Sequence, residues 1–321
     1  MTLAAEAIGA RDALARRQGR LALGAALVSV GLWASAFVGI RSAVHEVAPG
    51  ALALGRLLVG CVILGSVVLL RREPLPPRRS LPGIVVSGVL WFGIYNVALN
   101  LAERRVDAGT AAMLVNLGPI LIALLAGALL HEGFPRGLLL GCVVGFAGAA
   151  VIGAATSEHG VGASWGAGLC VIAAFAYAGA VVAQKPVLRE ASPLQVTWLA
   201  CAVGALSCLP FGGALVRDVG DAHTSAIAWV VYLGAMPTAL GFLAWTYALA
   251  RMPAGRLGPL TYLVPALAIL LGWGILGETP PALALLGGAL CLGGVALARW
   301  PGGRRRQQWP SGRHTVEERT E

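Results

Sequence analysis

Arg56 is the one charged side chain that falls well inside a long apolar run of this sequence. An arginine in hydrocarbon costs about 2.5–3.5 kcal/mol on insertion scales, so the position calls for a partner. Two roles supply one. The guanidinium can be the counter-charge for an anionic group on a bound molecule. Alternatively, lying shortly after Pro49, it can reach along its helix to the nearer interface or to helix-end carbonyls.

The other apolar runs carry a sparse set of groups that can hydrogen-bond or stack: Trp33, Ser35, Tyr95, Asn96, Asn100, Asn116, Tyr177, Trp245 and Tyr262. A carboxamide facing lipid is costly, so the three asparagines must face protein or a polar cavity. Asn96 and Asn100 are spaced to share one helix face. With Arg56 these residues form the candidate cavity set: a cation for charge, amides for orientation, and aromatic faces for an apolar body. Trp91, Trp198, Tyr247 and Tyr262 fit an interfacial aromatic belt as well as they fit a cavity.

Pro119 and Pro265 stand inside apolar runs. Proline lacks a backbone donor and clashes with the preceding turn, so each helix should kink there and free carbonyls toward a cavity; the plainer reading is that they shape packing alone. Glu132 and Glu278 each close an apolar run ahead of prolines, where a carboxylate suits the positive end of the next helix. They are also the residues left for ion coupling, because no Asp or Glu lies mid-run. The cysteines lie in apolar runs at irregular spacing, without neighbouring histidines, and read as small core residues. No phosphate loop, zinc-protease motif or nucleophile elbow occurs. The sequence therefore predicts no metal and no cofactor, and it lacks the clustered His, Asp or Glu that a membrane-embedded enzyme would need.

These residues need helices to hold them. Of 321 residues, 57% are hydrophobic and 12% charged, which excludes an ordinary soluble domain and predicts a polytopic membrane protein. With about 20 apolar residues needed per crossing, ten spans are predicted, near 21–40, 49–70, 82–101, 109–130, 137–155, 164–185, 193–215, 225–249, 257–276 and 281–299. Residues 1–20 are basic without a long apolar core, and read as a cytoplasmic extension with the character of a short amphipathic helix on the membrane. Residues 300–321 are predicted to be a disordered cytoplasmic tail.

Basic residues crowd alternate loops. Arg11, Arg16, Arg17 and Arg20, then Arg71, Arg72, Arg78 and Arg79, then Arg136, Lys185, Arg189, Arg251, Arg256 and the tail arginines all fall on one side; only Arg41, Arg104, Arg105 and Arg217 fall on the other. That bias predicts both termini in the cytoplasm. It also ties the net charge of +9 to membrane topology and anionic lipid, and argues against a nucleic-acid partner.

The halves repeat. At a constant offset of 146, Leu117, Pro119, Leu121, Glu132, Pro135, Gly141 and Gly148 match Leu263, Pro265, Leu267, Glu278, Pro281, Gly287 and Gly294. Five spans per copy is an odd number, so the second copy enters the bilayer upside down. Residues 21–155 and 164–299 are thus predicted to be two inverted five-helix repeats around a polar hollow, a device of carriers that open alternately to either side.

Trp33-Ala34-Ser35-Ala36-Phe37, Pro49 followed by Arg56, Pro119 with Glu132, Pro265 with Gly277-Glu278, and Trp245-Thr246-Tyr247-Ala248-Leu249 together resemble the EamA family of the drug/metabolite transporter superfamily. Phe175-Ala176-Tyr177 stands where the second copy's echo of Trp33-Ala34 would fall, with Phe in place of Trp. The resemblance covers about 21–299. It implies ten helices, a central cavity from spans 1, 3, 4, 6, 8 and 9, and export of metabolites, amino acids or toxic compounds across a bacterial inner membrane. The expected partners are a small-molecule substrate and the lipid bilayer, and the oligomeric state is left open. Multidrug efflux is the alternative, made less attractive for cations by the lack of mid-span acids.

Overall fold

The computed structural model describes residues 2–129, 136–157, 161–251, 260–261, 263–278 and 280–298. Glu132, Tyr262 and the tail from 300 onward lie outside the described residues. Helices α1 (Thr2–Ala43), α2 (Pro49–Arg71), α3 (Leu81–Ser87) and α4 (Asn96–Ala102) come first, with a π-helical stretch, Gly88–Tyr95, joining the last two. They are followed by α5 (Ala108–Val115), α6 (Gly118–Leu129), α7 (Arg136–Ser157), α8 (Val161–Val187), α9 (Pro193–Ser207), α10 (Gly212–Asp221) and α11 (Thr224–Leu233). A second π-helical stretch, Gly234–Gly241, leads into α12 (Phe242–Leu249); then come α13 (Leu263–Leu271), a third π stretch at Gly272–Leu276, and α14 (Ala282–Ala298).

The fold is an all-α polytopic membrane protein. Among the described residues, five helices are long and apolar enough to cross a membrane, or six if the bent pair α9–α10 is one span. The remaining predicted spans fall on shorter apolar helices at Ala108–Ile122, Val143–Ile152, Leu263–Leu276 and Ala282–Gly294. Two expectations need correction. α1 runs unbroken from Thr2, so residues 2–20 are not a separate helix: they are continuous with the first span, whose apolar part begins at Gln18. The seventh span, predicted to reach residue 215, bends by 54° after Ser207, where Pro210 withholds a backbone donor.

The most extensive helix–helix contact among the described residues joins α7 and α14. Small residues let the backbones touch: a Cβ on Gly148 would stand 2.5 Å from the Gly287 carbonyl oxygen, and one on Gly294 would stand 2.6 Å from that of Gly141. Residue numbers fall along one helix as they rise along the other, so the two run antiparallel. Gly141 and Gly287 are repeat partners, as are Gly148 and Gly294, and each meets the other's mate. Such a reciprocal, antiparallel contact follows from a twofold axis crossing the seam, and it is the packing signature of inversion.

The loops gather at two ends. At one, Arg41 reaches Glu278 and the Glu103 carbonyl, Arg104 Nε donates to the Val44 carbonyl, and Ala48 N–H donates to Asp218. His223 donates its backbone N–H to Glu46, which holds that carboxyl below the usual range. At the other end Arg79 and Ser80 bind Glu190, and Ser192, which caps α9, donates to Glu73. Gln195 completes the capping box and also donates to the Pro74 carbonyl.

Gly148→Ala should force the seam open and cost roughly 1–3 kcal/mol as an overpacking change. Gly293→Ala, where a Cβ meets nothing within 4 Å, should leave stability unchanged or raise it. Thermal unfolding of the two purified variants in detergent compares them.

Candidate functional site

Two irregular helices meet at the middle of the molecule. Pro119 offers no N–H, and the chain breaks between α5 and α6 at Asn116–Leu117, with Asn116 as the C-cap. In the second half Pro265 lies in the first turn of α13, where a missing N–H costs nothing, and Thr261 precedes the helix. The Asn116 Nδ2 donates to the Thr261 carbonyl at 3.1 Å, so the break in one half is bonded to the matching segment of the other. Both prolines are buried: Pro119 follows directly on the break within its apolar span, and Pro265 lies in the first described turn of α13.

The two long π stretches are also repeat partners at the same offset: Gly88–Tyr95 and Gly234–Gly241. A π stretch inserts an extra residue into a turn and re-aims the side chains that follow. It turns Trp91 and Tyr95 inward from the first half and delivers Phe242 from the second.

These elements line a partly open cavity of about 70 Å³. Its wall is aromatic. Trp33 and Trp91 each meet Phe242 edge-to-face, with ring centroids 5.3 and 4.8 Å apart; Trp91 meets Tyr177 at 5.0 Å, and Trp245 backs Trp33 at 4.9 Å. Gly118 permits this closeness, since a Cβ there would stand 2.3 Å from the Tyr177 ring.

One cation enters this apolar space. Arg56 is 4% exposed, lines the cavity and donates from Nε to Thr238 at 3.0 Å. It neither snorkels to an interface nor binds helix-end carbonyls. Among the described residues that is its one hydrogen bond, and no carboxylate pairs with it.

Of the residues singled out from the sequence, Trp33, Arg56, Tyr95, Asn116 and Tyr177 line this cavity. Trp245 stands behind the wall. Ser35 lines a separate groove and bonds Tyr232 at 2.6 Å. Asn96 turns back on its own helix, donating to the Trp91 and Phe92 carbonyls, and Asn100 donates to Pro49. Glu278 is held by Arg41 at 2.9 Å. Sequence reasoning passed over Phe37, Phe242, Thr238 and Thr261. Phe242 and Phe37 look like generic core residues in a run of apolar neighbours, and only the π stretch makes Phe242 a wall.

Paired, inverted helical halves around a partly open central cavity define a membrane carrier of small molecules. The chain belongs to the EamA-like transporter family, whose model matches residues 20–154 and again 164–300. It is 37% identical over 295 residues to a protein of Streptantibioticus cattleyicolor named "Probable terminal-alkyne amino-acid exporter", covering 91% of this chain and 98% of that one. It is 33% identical to "Uncharacterized transporter YdfC" of Bacillus subtilis, over 84% of this chain and 87% of the relative. A solved structure titled "Crystal structure of protein" shares the fold, with a TM-score of 0.60 at 22% identity over 86% of this chain and 96% of that one.

Phe242→Ala should cost about 3–5 kcal/mol, the range for removing a buried phenylalanine. Phe242→Leu should cost less and keep the wall closed. Near-ultraviolet circular dichroism with thermal unfolding reports both the tryptophan packing and the stability.

Proposed function

We propose that this transporter exports a small amphipathic carboxylate, an amino-acid-like compound with an apolar side chain, by alternating access. The observation that carries the reading is Arg56: a buried guanidinium with one hydrogen bond, facing a cavity walled mainly by aromatic and aliphatic groups, with Asn116 and Thr261 as its neutral polar members. A guanidinium has five N–H donors in a fork that fits a carboxylate, and a desolvated pair of this kind is strong. The facing rings of Trp33, Trp91, Tyr177 and Phe242 would take the apolar end. The exporter of S. cattleyicolor named for a terminal-alkyne amino acid supports this substrate class. Efflux of cationic drugs fits less well, because the charge lining the cavity has the wrong sign.

Counterflow in proteoliposomes, run with apolar L-amino acids including L-propargylglycine, tests the proposal. Arg56→Gln should lower affinity roughly 10–100-fold, from the 1.5–3 kcal/mol of a charged hydrogen bond. Methyl esters of the same compounds should bind the wild type as weakly as the acids bind the variant. No counterflow by any acid in folded wild-type protein would overturn the reading.

The same proposal places the protein in a bacterial plasma membrane with both termini cytoplasmic. Support comes from the crowding of basic residues in alternate loops and from the gathering of those loops at opposite ends. In intact cells, a cysteine at Gly220 should react with an impermeant maleimide, and one at Arg189 should react only after permeabilisation. Labelling of both from outside would reject this orientation.

A further inference from the structure

Glu103 lies just past the end of the span that closes at Ala102, fully buried, and neither carboxyl oxygen has a hydrogen-bond donor among the described residues. It stands one turn beyond Leu99, which lines the cavity, and hence on the same helix face. On the other side is the end cluster: Arg41 donates from Nη1 to the Glu103 backbone carbonyl and from Nε to Glu278. The nearest cation thus serves other acceptors. The charged and titratable groups facing the carboxyl are Arg41 of α1, Arg56 of α2, Tyr95 of its own span, Asp107 at the start of α5, Cys170 of α8 and Glu278 ahead of α14. Loss of solvent outweighs the attraction of the two arginines and pushes the Glu103 carboxyl well above the usual carboxylate range.

An unpartnered, fully buried carboxyl between a cavity and a breakable ion pair calls for a role. We propose that Glu103 is the proton-binding group that couples this carrier to a proton gradient, an inference that rests on the transport reading above. The cycle balances with one proton. Open at the Arg41 end, the carboxylate takes a proton from that compartment; the neutral acid is then buried as Arg41 closes over its backbone. When the opposite end opens, the O–H bond breaks and the proton leaves through the cavity as substrate enters. Nothing is oxidised or reduced. At the repeat offset shared by the two long π stretches, the second half carries Leu249 where the first carries Glu103, so the other end lacks a matching acid.

The sign follows from burial. The closed arrangement holds the neutral acid, so it is favoured at low pH and loses ground as pH rises through the elevated value. Opening the Arg41 end solvates the carboxylate.

Hydrogen–deuterium exchange of the full chain in nanodiscs, corrected for intrinsic rates, reads this closure without any substrate. Exchange in peptides spanning 36–48 and 99–110 should rise several-fold with pH in the wild type. It should stay low and flat in Glu103→Gln, and it should keep its pH dependence in Glu103→Asp. Flat exchange in the wild type, or wild-type behaviour of Glu103→Gln, would overturn the proposal. Should Glu103→Gln fail to fold, infrared difference spectra of the wild type and Glu103→Asp decide. A protonated-carboxyl band at neutral pH that shifts in the aspartate variant supports the assignment, and an unshifted or missing band refutes it. In counterflow of L-propargylglycine, Glu103→Gln should retain exchange but lose its stimulation by an imposed pH gradient. Failure of counterflow in the wild type strikes the transport reading alone, because the exchange experiment stands without it.

Discussion

Backbone polar groups inside hydrocarbon must find partners within the protein, and this constraint decides where the molecule can be irregular. The described helices depart from α geometry chiefly where the halves meet: two π stretches, the break at Asn116–Leu117, and the segment before α13. Side chains satisfy the carbonyls exposed there. Asn96 serves Trp91 and Phe92, Ser29 serves Gly241, and Asn116 serves Thr261. The cavity is therefore bounded by the segments whose backbone cannot lie against lipid, which is why polar groups and irregular helices coincide.

The duplication supplies a symmetric frame, and the chemistry breaks it. α9 starts at Pro193 as α2 starts at Pro49, yet it carries Ala200 at the position of Arg56. Tyr95 of the first π stretch is matched by Gly241, whose small size leaves room for Trp33. A symmetric cavity would present two like charges to each other. Placing Arg56 in a single half avoids that repulsion and gives a bound molecule a defined polar end.

Much of the frame was legible because prolines and charges are rare in apolar runs and so carry information there. The constant offset linking Pro119 to Pro265 and Gly148 to Gly294 pointed to the duplication, but not to the glycine seam that joins the two copies. Asn96 and Asn100 were harder. Their spacing fixes a shared face, but a short amide can reach its own helix or a neighbour's end as readily as a cavity, and both took the backbone. Arg56 posed the same choice, and the cavity won because Thr238 sits in the facing π stretch, a geometry without a sequence signature. Glu103 was passed over because it lies beyond the apolar run that defines its span, where the fold still buries it.

A carrier needs parts that stay together and parts that separate, and the packing distinguishes them. The seam of α7 and α14 joins backbone to backbone, so even a small rotation there drives carbonyl oxygens into neighbouring helices. The two ends are held by a few polar contacts instead. They are unequal. The Arg79 side chain is 73% exposed in its pair with Glu190, and a surface pair of that kind contributes about 0–1 kcal/mol. Arg41 is 19% exposed and ties Glu278 to the backbone of Glu103, so its contacts are better shielded from solvent. The ion pair at the Arg79 end is thus solvent-exposed, whereas the pair at the Arg41 end is partly buried and tied to the backbone of Glu103. The asymmetry of these end contacts, laid over the symmetry of the seam, lets two nearly equivalent halves respond differently to the two sides of a membrane.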